Sequence, residues 1–153
     1  MKILIIDDDD LVLYTLSKIL RSAGDTVVTA KNGARGMTAF RSEQPDLVIT
    51  DIVMPEQEGL GTIMMLRREC PQARIIAISG GGRVGNLDAL EAARTLGADE
   101  VIPKPFEADI LLATVGRLRR AAPPTAKHEA PGEALRRLAT ISRNKSGEGV
   151  RQC

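Results

Sequence analysis

Along residues 1–121 the apolar positions fall into two alternating textures. Five short runs, KILIID, DTVVTA, PDLVIT, ARIIAIS and DEVIP, hold Val, Ile and Leu in close succession. A strand with one wet face alternates apolar and polar residues, so these runs predict strands covered on both faces, as in a parallel sheet. Between the runs the apolar residues step by three and four instead. Val12, Leu16 and Ile19 predict a first helix, and Met37 and Phe40 a second behind Asn32, a good N-cap. Leu60 and Ile63 follow Gly59; Leu87, Leu90 and Ala93 precede a terminating Gly97; Leu111, Val115 and Leu118 close the series. The order is β-α, five times over.

That alternation predicts an α/β fold, a doubly wound five-stranded parallel sheet with right-handed crossovers and helices on both faces. Such sheets bind ligands at the carboxyl ends of their strands, near the point where strand order reverses. The rule selects Asp7 and Asp8 after strand one, Asp51 after strand three, Ser79 after strand four and Lys104 after strand five.

Past Ala121 the pattern stops. The stretch APPTAKHEAPGE carries three prolines and no apolar periodicity, which predicts a linker. Leu135, Leu138 and Ile141 could line a short helix near 133–142, marginal in isolation. The expected division is one folded domain over 1–121 and a flexible basic tail over 122–153. Charge sharpens it: the chain is +1 overall, but six Lys and Arg against three Glu give the tail +3 and leave the rest at −2. No global field favours nucleic acid, so direct DNA binding is not expected.

Met1 and Lys2 lead into only four apolar residues before the aspartates, and no run approaches membrane-spanning length. A cytoplasmic protein with no membrane partner is expected. Cys70 and Cys153 have neither a Cys nor a His near them, which speaks for free thiols. His128 sits between Pro124 and Pro131, a tail position rather than the face of a helical bundle.

The block Asp7, Asp8, Asp9 and Asp10 follows directly on Ile3 to Ile6. Four adjacent carboxylates repel, by about 1 kcal/mol per pair even in water, so part of the block needs a cation or a separate structural job. Asp9 or Asp10 suits the start of the first helix, where negative charge is favourable. Asp7 and Asp8 beside Asp51 form an oxygen-only donor set that suits a hard divalent cation such as Mg²⁺.

The fragments IIDDD, DLVITDIVMPEQEG, IIAISG and IPKPF, in this order and at the ends of strands one, three, four and five, resemble the receiver domain of two-component response regulators. The resemblance spans residues 2 to about 121 and implies a flavodoxin-like strand order of 2-1-3-4-5. It implies a signalling protein rather than an enzyme, one that takes a phosphoryl group on Asp51 and catalyses at most its own dephosphorylation. The donor it implies is a histidine kinase or a histidine phosphotransfer protein, and the cofactor is Mg²⁺. Asp8 is then a direct metal ligand, Asp7 binds largely through water, and Asp51 and the carbonyl of Val53 complete the set. On the same resemblance Ser79 and Lys104 are expected to hold phosphoryl oxygens, and the Lys104–Pro105 bond is expected to be cis.

Two departures stand out. Many receivers carry Tyr or Phe three residues before the lysine, where this chain has Val101, so output cannot depend on an aromatic flip. The loop SGGGRVGN at 79–86 is long and glycine-rich, which implies mobility or a changed partner surface. Without an effector segment, a stand-alone receiver acting on a downstream protein target is expected. The competing reading is an adaptor with the same fold that works without phosphorylation. A phosphatase of the Asp-x-Asp type fits poorly, because Val53 stands where a second carboxylate is needed. A dinucleotide site fits worse, because Asp7 to Asp10 replace the glycines and would repel a pyrophosphate.

Overall fold

The structure is a computed structural model that describes residues 1–54, 59–80 and 86–121. The tail at 122–153, with the helix expected near 133–142, His128 and Cys153, lies outside the described residues, as do 81–85 of the glycine-rich loop. Five strands, β1 (Lys2–Ile6), β2 (Thr26–Ala30), β3 (Leu47–Asp51), β4 (Ile75–Ser79) and β5 (Glu100–Pro103), alternate with five helices. The helices are α1 (Asp10–Ser22), α2 (Gly33–Glu43), α3 (Gly59–Glu69), α4 (Asn86–Thr95) and α5 (Ala108–Arg120). All neighbouring strands run parallel, in the order β2-β1-β3-β4-β5. Fold class and strand order are those expected from the sequence.

Alternate residues of the apolar runs feed two separate cores. Ile3, Ile5, Ile49, Ile76 and Ile78 pack with Leu13, Leu16 and Leu20 of α1 and Leu111 and Val115 of α5. Leu4, Ile6, Val48, Ile75 and Ala77 pack on the other side with Met37 of α2, Ile63 and Leu66 of α3, and Leu90 and Ala93 of α4. Each such aliphatic side chain contributes about 1.5–3 kcal/mol on burial, which is why both faces of these strands are apolar.

The helix boundaries follow local chemistry. Asp9 is the N-cap of α1, its carboxylate accepting from the Leu11 N–H at 2.8 Å, while Asp10 pairs outward with Lys31 at 2.7 Å. Asn32 caps α2 by accepting from the Arg35 N–H at 2.8 Å. Gly97, at φ +112°, ends the turn after α4 in a conformation that a side chain would strain. One stripe differs from expectation: α1 buries Leu13, Leu16, Ser17 and Leu20, while Val12 and Ile19 pack only partly against the core. The apolar pairs Val12–Leu13 and Ile19–Leu20 offer two stripes one residue apart, and only the direction of packing chooses between them.

Two buried ionic knots tie distant segments. Asp25 accepts from the Met1 ammonium at 2.8 Å and from Arg119 at 2.6 Å, joining the start of β2 to the end of α5. Arg67 of α3, only 5% exposed, donates to the carbonyls of Gly97, Pro71 and Ala73 and to the Asp99 carboxylate at 2.8 Å.

Candidate functional site

The expected residues converge where the strands end. Asp7 follows β1 and is 2% exposed; Asp51 ends β3 and is 7% exposed; Asp8, beside Asp7, faces solvent. One carboxylate oxygen from each of Asp7, Asp8 and Asp51 lies within 4.8 Å of the others. Ladder register creates this meeting, since Ile6 pairs with Thr50 and thereby sets the residues after β1 beside the end of β3.

Lys104 reaches in from the end of β5. Its ammonium lies 2.9 Å from Asp7 Oδ2 and 2.9 Å from Asp51 Oδ2, and its backbone N–H donates to the Ser79 carbonyl at 2.7 Å. Ser79 itself is fully buried and pairs with Pro103 in the sheet. The Lys104–Pro105 bond is cis, as the resemblance implied. Val53 is exposed, and its amide donates to Asp51 Oδ1 at 3.2 Å.

The balance of charge is uneven. Asp7 accepts from the Asp9 N–H at 2.9 Å and from Lys104, and Asp51 from Val53 and Lys104. Asp8 accepts nothing from any described residue. Burial pushes the Asp7 carboxyl above its usual range, more strongly than the Asp9 N–H and Lys104 pull it down, and the Asp51 charge adds to the rise. For Lys104 burial is the largest single influence and favours the neutral amine. The bonds and charges of Asp51 and Asp7 together outweigh it and hold the ammonium above its ordinary value. Three carboxylates around one ammonium form a net anionic, oxygen-only cluster, a donor set that fits a hard divalent cation.

The raised Asp7 value has a definite sign. A carboxyl whose folded-state pKa lies above its unfolded value stabilises the fold below about that unfolded value, near 3.8, and loses this contribution as pH rises through the folded value. In chelator, Asp7→Asn should therefore gain stability relative to wild type as pH climbs from 3.8 toward neutrality, measured by urea unfolding at several pH values. A wild type that instead gains on the variant over that range would contradict the assignment.

Two glycines that the sequence left without a site role shape the pocket. A Cβ on Gly59 would collide with the Asp51 carbonyl oxygen, so only glycine lets α3 start against the end of β3. A Cβ on Gly80 would meet Lys104 Cδ at 2.9 Å, so Gly80 clears the path of the lysine stem. Strand-end position found Asp51 and Lys104; no spacing rule points to a glycine whose neighbour lies far along the chain.

The family described as the response regulator receiver domain matches residues 3–116. Among curated proteins, the chemotaxis protein CheY of Bacillus subtilis is 36% identical over 118 residues, covering 76% of this chain and 95% of CheY. The DNA-binding transcriptional regulator NtrC of Escherichia coli is 34% identical over 113 residues, 74% of this chain and 24% of NtrC. The chain thus spans about a quarter of that regulator's length. Among solved structures, the receiver domain of NtrX from Brucella abortus superposes with a TM-score of 0.74 at 28% identity, covering 78% of this chain and 99% of that one. A receiver domain protein from Clostridium thermocellum gives 0.71 at 30%, with coverages of 76% and 92%.

Proposed function

This chain belongs to the response regulator receiver domains of two-component systems, and on that premise we propose that Asp51 accepts a phosphoryl group from a histidine kinase or a histidine phosphotransfer protein. The observation that carries the reading is the Lys104 ammonium, 2.9 Å from both Asp7 and Asp51, beside an Asp8 that has no ion-pair partner among the described residues. The site keeps a nucleophile and a fixed positive charge together and leaves room in its charge balance for one divalent ion.

In the step, an oxygen of Asp51 forms a bond to phosphorus while the bond from phosphorus to the donor nitrogen breaks. The electron pair stays on the imidazole, and the product is the acyl phosphate of Asp51. A carboxylate attacks an anionic phosphoryl group only where charge is cancelled, and Lys104 supplies part of that cancellation from a fixed position. Asp7, Asp8, Asp51 and the Val53 carbonyl are the residues to hold Mg²⁺, which when bound supplies further positive charge against the phosphoryl oxygens. Ser79, at the end of β4, donates a hydrogen bond to the new dianion, and the backbone around it carries the signal outward. Val101 is a half-buried aliphatic residue, so the response concentrates in the segment after Ser79 and the start of α4.

A docking face for the phosphodonor lies alongside. A cavity of about 370 Å³ between α1 and the segment after β5 is lined by Leu11, Val12, Leu16, Pro105 and Phe106, with Lys104 at its edge. Leu11 is 71% exposed and Val53, beside Asp51, 59%, an apolar rim that suits a partner helix. The adaptor reading leaves unexplained why the carboxylates, Ser79 and Lys104 all meet at one edge.

The test is incubation with a small phosphodonor and Mg²⁺, followed by intact mass. A gain of one phosphoryl group that disappears in chelator is expected; labelling that survives chelator contradicts the reading. Metal alone should also act on stability, since it relieves repulsion in the folded cluster and binds the unfolded chain poorly. Melting temperature should rise with millimolar Mg²⁺ in wild type and stay flat in Asp8→Ala. If Asp8→Ala melts below wild type in chelator, the cluster is not repulsive when metal-free.

A further inference from the structure

The described surface carries a second charged concavity that none of Asp7, Asp8, Asp51 or Lys104 lines. It lies between α1, the end of β2 and the start of α2, encloses about 400 Å³, and is bounded by Asp10, Tyr14, Ser17, Arg21, Lys31 and Arg35. A shallower hollow continues along α1 past Tyr14, Ser17 and Arg21 to Lys18. Four cations against one carboxylate make this a local reversal of sign on a body whose first 122 residues sum to −2.

Three features distinguish the groove from an ordinary solvated basic face. Ser17 is only 7% exposed, yet among the described residues its hydroxyl has no hydrogen-bond partner. Nor is that oxygen sealed in the interior: the shut-in orphans among the described residues are Thr62 Oγ1 and Arg74 Nε, and Ser17 lines both hollows. A buried hydroxyl left open to a cavity is a donor and acceptor waiting for a ligand atom. The Arg35 guanidinium has no partner among the described residues, whereas Arg21 spends one N–H on the Val27 carbonyl at 3.1 Å. Finally, the first turn of α2 holds no acidic residue, so the positive end of its dipole faces this region uncompensated.

We infer that this groove binds a small phosphorylated ligand with a planar base, a mononucleotide, through Arg35, Lys31 and Ser17 on the phosphate and Tyr14 on the base. Arg35 offers the forked donor geometry that phosphate accepts. Tyr14, the only tyrosine of the chain, is 65% exposed and borders both hollows, which gives a ring face for stacking. The volume lies in the range of small-molecule sites. Asp10 opposes binding, because it holds Lys31 at 2.7 Å and must release it.

The inference is tested on the full-length, ¹⁵N-labelled protein in chelator, titrated separately with AMP, inorganic phosphate and adenosine and followed by amide shifts. AMP should move residues 14–21 and 29–35 and leave those around Asp51 in place. Arg35→Gln, an exposed substitution, should weaken AMP by about 10- to 100-fold. Asp10→Asn should tighten it by about two- to fivefold, the scale of one exposed ion pair. Tyr14→Ala should reduce AMP affinity to that of phosphate. Adenosine binding as well as AMP, or no loss in Arg35→Gln, overturns the anion site; equal affinity of wild type for phosphate and AMP overturns the nucleotide assignment.

Discussion

Asp51→Asn is expected to take up no phosphoryl group under conditions that label wild type to one per chain, a loss of about 10³-fold or more in rate, as when a nucleophile is removed. The substitution is close to isosteric, and its amide oxygen can still accept from either the Val53 N–H or Lys104, which bond different carboxylate oxygens of Asp51, so the site should largely keep its shape while one of these two bonds is lost. What it loses is the nucleophile, since an amide oxygen does not attack an anionic phosphoryl group. Neither neighbour can stand in. Asp7 is 2% exposed, and its two carboxylate oxygens already accept from the Asp9 N–H at 2.9 Å and from Lys104 at 2.9 Å. Asp8 faces solvent and, among the described residues, has no ion-pair partner, whereas Asp51 lies 2.9 Å from the Lys104 ammonium. Intact mass of both proteins after the same exposure decides the matter. An equal mass gain in the variant would move the acceptor elsewhere and overturn the proposed chemistry.

Arg67→Ala should cost about 3–5 kcal/mol of folding stability, the scale set by removing one partner of a buried ion pair. Four of the five guanidinium N–H groups are engaged: Nε donates to the Gly97 carbonyl at 2.7 Å, Nη1 to the carbonyls of Pro71 and Ala73, and Nη2 to Asp99 at 2.8 Å. Its loss strands those carbonyls and removes the cation beside the partly buried Asp99, which keeps the Ile75 N–H at 2.7 Å. For a domain whose total stability is about 5–15 kcal/mol, that is a large share. Arg67→Lys retains the charge but not the planar fork, so it should recover only part of the loss. Urea denaturation measures all three proteins. A loss below about 1 kcal/mol in Arg67→Ala would show that solvent or a local shift satisfies the stranded groups.

These two residues mark the boundary of what sequence alone discloses. Asp51 was legible because a carboxylate directly after an apolar run lands at the edge where a parallel sheet binds ligands. Lys104 was legible for the same reason, and Asp9 or Asp10 because helix starts favour acidic residues. Arg67 gave no signal. It lies in the last turn of a helix, where a cation is ordinary on the surface, and its partners Gly97 and Asp99 are 30 and 32 residues away. The Arg119–Asp25 pair spans 94 residues and is equally invisible to any spacing rule. The central strands were legible because both their faces are covered, which leaves an unbroken apolar run in β1, β3 and β4; the α1 stripe was not, because adjacent apolar pairs satisfy two helical phases at once. Gly59 was noticed only as the start of α3, and its contact with the Asp51 carbonyl depends on a crossover geometry that local pattern does not encode.

The two cores, each served by every second residue of the strands, make the central sheet a partition. Ile3 and Ile5 speak to α1 and α5, Leu4 and Ile6 to α2, α3 and α4, although the residues are covalent neighbours. Substitutions on opposite sides that lie more than about 7–10 Å apart share no side-chain partners, so their free energies should combine additively. The helix layer that borders the proposed donor-docking cavity and the layer that holds α4 can therefore drift independently under selection. Partner choice on one side of this domain can change with little retuning of the response on the other, because the two helix layers are joined through the shared strands and the edge where Asp7, Asp51 and Lys104 meet.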